Sequence, residues 1–289
     1  MPPRPDRPLA SVVALLLALA ALSGCGASGS TASSEIAVTV TRDFGSTSVV
    51  DLPRERVPAP PGLARLLERH GGVRASDSLF VNGIRADEPA AELGVHGGDR
   101  VWLDRHETRL VKATPAVVGS FPEPFVRGIG GKRLPVRVEC DDPRGSPCSA
   151  VSEKLVSLGV VAGRSVISRS AADDSVRILV GEWKRVRGRE FEADSIDEGP
   201  RSSGVFARFD ETGDRLIVFD AAGRPARALG AGTGLIAATA APERRPVWFV
   251  TGTDAAGVAA AARALDESVL ADRFALAISL DLPVAVPQP

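Results

Sequence analysis

The order in which side-chain periodicity changes between residues 36 and 103 restricts the available folds more than any other feature of the chain. Ile36-Ala37-Val38-Thr39-Val40-Thr41 alternates large and smaller side chains, the period-2 pattern of a half-buried strand. Ser48-Val49-Val50-Asp51-Leu52 supplies an antiparallel partner across a turn at Asp43–Ser46. Beyond the breaker Pro60-Pro61-Gly62, Leu63, Leu66, Leu67 and His70 recur at helical spacing. Leu79-Phe80-Val81 then runs into Asn82-Gly83, residues that tolerate the positive φ of a tight turn. Gly97-Gly98-Asp99-Arg100 leads into a closing strand, Val101-Trp102-Leu103. The predicted order is strand, strand, helix, strand, strand.

That ββαββ order resembles the β-grasp module of ubiquitin-like and sulfur-carrier proteins. Val81-Asn82-Gly83, followed by Gly98-Asp99-Arg100-Val101, is similar to its "VNG…GDxV" ending. Within that class, residues 35–108 look most like a domain of unknown function related to the C-terminal β-domain of transcobalamin and intrinsic factor. The resemblance implies a corrinoid as ligand and makes Phe80, Asn82, Trp102 and His106 the candidate ligand-binding residues. The aromatic run usual before the Asn-Gly turn is reduced here to Phe80, and the stretch Gly71–Ser78 is shortened. His106, at a strand end, has the chemistry to ligate cobalt; a solvated turn histidine is the alternative. His70, His96 and His106 show neither HxH nor HExxH spacing. The β-grasp module also serves widely for protein interaction.

Residues 109–134 read as a Pro/Gly-rich connector, too apolar at Phe121, Phe125 and Val126 to be a free linker. In residues 135–289, strands and helices alternate, the pattern of an α/β layered domain. Strands are predicted at Pro135–Glu139, Val176–Val180, Gly204–Phe209, Arg215–Asp220 and Pro246–Thr251, with Phe274–Leu280 as the last. Ser146 is read as the N-cap of a helix bearing Val151, Leu155 and Leu158 on one face. Thr253 or Asp254 caps another, with Val258, Ala261, Ala262 and Leu265 in one stripe. The whole chain is therefore expected to be α+β, a β-grasp-like domain followed by an α/β domain.

The first 24 residues read as an export leader. Arg4 and Arg7 precede Leu9–Leu22, an uncharged apolar run too short for a bilayer core of about 30 Å. Leu22-Ser23-Gly24-Cys25 resembles the lipobox of bacterial lipoproteins, which implies lipidation of Cys25. Two acyl chains on that residue would satisfy the two-signal requirement for stable anchoring. Residues 25–34, rich in Gly and Ser, then form a flexible tether. The expected location is the extracytoplasmic face of the cell membrane. In that oxidising compartment the remaining cysteines, Cys140 and Cys148, are expected to form a disulfide.

A net charge of −1 argues against a nucleic-acid partner, which would need a basic face. The arginines are scattered among acids, and no motif gathers them around phosphate. Gly252-Thr253-Asp254-Ala255-Ala256-Gly257 follows a strand and opens a helix, yet lacks both the P-loop Lys-Ser/Thr and GxGxxG. It looks instead like non-catalytic α/β modules of bacterial surface proteins, where small residues let helix and sheet pack closely. Gly230–Gly234 reads as a tight loop. Asp173-Asp174 reads as a solvated pair, with a cation site as the alternative. Residues 135–289 contain no histidine and no Gly-x-Ser-x-Gly elbow, so no catalytic set, metal site or resident cofactor is expected. The functional expectation is a lipid-anchored, non-enzymatic binding protein that delivers a corrinoid or other small ligand to importer subunits. The alternative is a non-catalytic scaffold that contacts other envelope proteins.

Overall fold

The computed structural model describes residues 33–106, 114–168, 174–242 and 244–289. The leader, Cys25 and most of the tether lie outside them, as do residues 107–113 and Asp173. Among the described residues no helix is long and apolar enough to cross a membrane.

β1 (Ser33–Arg42) and β2 (Thr47–Pro58) form an antiparallel hairpin, interrupted by two register shifts. Ser33 and Ser34, expected in the tether, already belong to β1, and the Ser34 hydroxyl donates to Val95 O at 2.9 Å. α1 (Gly62–Arg69) buries Leu63, Leu66 and Leu67, as its spacing requires. β3 (Ser78–Val81) and β4 (Ile84–Arg85) are joined by Asn82 and Gly83, both at positive φ (52° and 77°), the conformation a two-residue hairpin turn needs. β5 (Arg100–Arg105) inserts between β1, to which it is parallel, and β3. The sheet order is β2-β1-β5-β3-β4. Alternation sends Ile36, Val38, Val40, Val101 and Leu103 toward α1, forming one core. The opposite face carries Thr39, Thr41, Trp102 and Asp104.

The described part of the connector, from Thr114 onward, is packed. Phe121 and Phe125 are buried against Trp248, with ring centroids 6.1 and 5.0 Å away. β6 (Val136–Cys140), α2 (Ser146–Ser157) and β7 (Ala162–Val166) make a parallel crossover unit. Gly145, extended at φ −63° and ψ 149°, takes the N-cap position expected of Ser146, with Pro147 in the first turn. Cys140 and Cys148 are disulfide-bonded with Cα atoms 6.0 Å apart, joining the end of β6 to the start of α2.

β8 (Val176–Glu182) follows, then three short helices: α3 (Trp183–Val186), α4 (Phe191–Glu198) and α5 (Pro200–Ser203). β9 (Ala207–Phe209), β10 (Leu216–Phe219) and β11 (Pro225–Leu229) form a small antiparallel sheet. The chain then enters β12 (Gly234–Thr239), β13 (Val247–Gly252), α6 (Ala255–Arg263), α7 (Glu267–Leu270), β14 (Ala275–Ser279) and β15 (Leu282–Val286). The large sheet has the order β15-β14-β12-β13-β8-β6-β7, with β13, β8, β6 and β7 parallel and the other three antiparallel. α2 and α6 cover one face; α3, α4 and the small sheet cover the other. Strands buried on both faces are apolar throughout, as β8, β12 and β13 largely are. Thr239 and Thr251 are buried polar residues in these strands, and Arg177 is a buried charged one, held by Glu139 (2.7 Å) and Glu190 (2.6 Å). The last strand is β15 rather than β14; Pro283 is tolerated there because β15 lies at the sheet edge.

Candidate functional site

Three of the four candidate ligand residues meet, in the interior. Phe80, Trp102, Val117 and Phe274 form a buried cluster, with Phe44 packed against it. The Phe274 ring lies 5.7 Å from Phe80, 5.2 Å from Trp102 and 5.4 Å from His106. His106 stacks on Phe44 at 4.0 Å, and its Nδ1 is 2.7 Å from the Asp104 carboxylate. Asp104, wholly buried, also accepts from the Thr41 hydroxyl and from the backbone N–H groups of Phe44 (3.1 Å) and Gly45 (2.9 Å). Trp102 Nε1 in turn donates to Thr41 Oγ1 at 2.7 Å. The carboxylate is fully satisfied, which is what a buried charge requires.

Asn82 stands apart from this cluster. Its Nδ2 donates to Asp99 (2.8 Å) and Gly128 O (3.1 Å), and its Oδ1 accepts from Arg100 N (2.9 Å). Asn82 therefore ties the β3–β4 turn to both the start of β5 and the connector. His96 lies beside Asp99 at 3.6 Å and is exposed, whereas His70 ends α1. Among the described residues no three His, Cys, Asp or Glu side chains are placed to hold a metal ion.

A cleft of about 320 Å³ with Trp102 in its lining lies between the first sheet and the segment following α7, and His106 lines a separate recess with Asp77 and Arg105. Thr39, Ser48, Asp51, Arg100 and Trp102 line the cleft from the sheet; Ser120, Glu267 and Asp272 line it from the other side. Close backbone approach sets its width. A Cβ on Gly119 would lie 2.7 Å from Arg273 N and 2.8 Å from the Trp102 ring, so only glycine passes between them. A Cβ on Gly45 would overlap the Asp272 carbonyl. Burial, reinforced by the Asp51 charge, pushes the Asp272 carboxyl above its ordinary pKa. Arg100 and Glu267 pair across the rim. Besides the paired Arg100 and Glu267, the cleft thus presents the carboxyl groups of Asp51 and Asp272, hydroxyls and one indole edge, groups suited to a small polar ligand with hydrogen-bond donors. Asp51 and Asp272 carry no motif in the sequence; the fold alone brings them together.

The glycine-rich segments are explained by packing. A Cβ on Gly252 would sit 2.6 Å from Gly257 C, and one on Gly257 would overlap the Thr233 carbonyl. The Asp254 side chain caps α6, accepting from Gly257 N (2.9 Å) and from Gly232 N (2.8 Å). A carboxylate thus occupies the helix N-terminus where a phosphate would have to sit. Gly230–Gly232 is a tight loop bonded to Thr253 and Asp254, and Gly234 already begins β12. Comparison with protein-family models, curated proteins and solved structures finds no match to this chain.

Proposed function

We propose that this chain is a non-enzymatic, lipid-anchored extracytoplasmic binding protein that holds a small polar ligand and passes it to importer subunits. The observation that carries the reading is the seam cleft, whose volume of about 320 Å³ falls within the usual range of small-ligand sites. The sheet order β2-β1-β5-β3-β4, with β1 and β5 parallel, supports identifying residues 35–108 as a β-grasp domain. The corrinoid implied by resemblance is one ligand to test. The aromatic residues that would face it are engaged in the interior, so smaller cationic or hydroxylated ligands fit the cleft's lining better. An envelope scaffold is the second reading, favoured by Val156, Val161 and Val166, which stand exposed around the edge strand β7.

A thermal-shift screen of the mature protein lacking Cys25 tests ligand binding. At 100 times its dissociation constant, a ligand specific for the folded state stabilises by about 2.7 kcal/mol. Thr39→Trp, which fills the cleft, should abolish the shift without lowering the melting temperature of the free protein by a comparable amount. If corrinoids, amines and polyols all leave both proteins unshifted, the scaffold reading replaces this one. Membrane fractionation of Cys25→Ser against wild type tests the anchor, and equal retention would refute it.

A further inference from the structure

We propose a second binding site, for an organic anion, in a recess of about 430 Å³ at the opposite edge of the first sheet from β2. Its walls come from β4 and from Ala240, Ala241, Pro242, Arg244 and Arg245, which lie between β12 and β13 and are far from β4 in sequence. Three arginines line it, Arg85, Arg244 and Arg245, against a single acid among the described lining residues, Asp87. A concave site in which cations outnumber acids favours anions, and planar guanidinium forks match phosphate and carboxylate oxygens in pairs.

Two features show how the cations are held. Arg85 N donates to Pro115 O at 3.0 Å, and Ile84 bridges Ala116, so the short edge strand is fixed against the connector. Arg244 lies 3.6 Å from Glu192, a carboxylate only 1% exposed, neither of whose oxygens has a hydrogen-bond partner. A buried acid behind Arg244 orients that guanidinium, leaving Arg85 and Arg245 as the cations answerable to a ligand. The rest of the lining is apolar or neutral, with Ile84, Pro115, Ala240 and Pro242 beside the Ser202 hydroxyl. A ligand matching both parts carries one phosphate or carboxylate on a compact apolar body. A free organic anion and a phospholipid headgroup with its first carbons share that chemistry.

The test uses the full mature chain lacking Cys25, titrated calorimetrically with phenyl phosphate and with inorganic phosphate at low ionic strength. Phenyl phosphate should bind saturably and more tightly than inorganic phosphate, and salt should weaken it. Arg85→Gln with Arg245→Gln should weaken binding by about tenfold or more, because Gln cannot offer a charged fork. Arg244 is left in place so that Glu192 does not become an unpaired buried charge. Thr39→Trp in the seam cleft should have no effect, which separates this site from the first. No saturable binding, equal affinity for the two probes, or indifference to the double substitution would each overturn the proposal. Phosphatidylglycerol vesicles identify the source. Sedimentation with them that phenyl phosphate competes away, and that the double variant loses, assigns the anion to lipid. Absence of sedimentation alongside phenyl phosphate binding assigns it to a free ligand.

Discussion

Glu123 lies in the connector, 4% exposed, and its main charge-stabilising contact is the Arg127 N–H at 2.6 Å. Burial outweighs that contact and raises its carboxyl pKa from 4.5 to about 7. A group that holds its proton more tightly when folded adds stability that is complete below about pH 4.5 and is lost as pH rises through about 7. Glu123→Gln, which cannot ionise, removes this dependence. Relative to wild type, the variant should gain on the order of 2–3 kcal/mol between pH 5 and pH 8 in urea denaturation. Parallel pH profiles for the two proteins would refute the assignment. The cysteine pair and the Asn82-Gly83 turn were legible because their chemistry is local. The surroundings of His106 were not, since Phe44 and Phe274 reach it from distant parts of the chain. Asp51 and Asp272 likewise acquire meaning only from the fold.

Among elements, the sequence revealed those whose pattern is contrasted. β1 alternates, α1 carries a leucine stripe, and β8 and β13 are apolar runs between turns. β12 was hidden because Gly-Leu-Ile-Ala-Ala-Thr has little β-branched character, its small residues serving instead to admit α6. α3 and α5 have four residues each, too few for periodicity to register. β15 was masked by Pro283, which an edge strand accepts. The α6 segment gives the sharpest element-scale test. Gly257→Ala adds a methyl that would overlap the Thr233 carbonyl, and should cost about 1–3 kcal/mol through overpacking. The same substitution in an open helix would be stabilising, because alanine is the better helix former. A chemical denaturation midpoint that is unchanged or raised would show that the loop and helix are not in the contact described.

At the scale of the molecule, Ala32–Pro289 is one compact unit, and the face of the first sheet bearing Trp102 is closed by residues of the second half. Phe274, directly before β14, touches Phe44, Phe80, Trp102 and His106, while Gly45 and Gly119 admit backbone from the other side. If the second half unfolded alone, the first sheet would be left exposing the apolar face that bears Phe80 and Trp102. The halves should therefore unfold together. In hydrogen exchange under increasing denaturant, amides of Val38 and Leu103 in the first sheet should converge on the same opening free energy as those of Ile178 and Phe249 in the second. Phe274→Ala should lower both sets in step, by about 3–5 kcal/mol, since the cavity it leaves belongs to both halves. If the first-sheet amides keep their protection while those of the second sheet lose it, the seam is a surface contact. The cleft beside it would then open and close with domain motion instead of being held by the packed core.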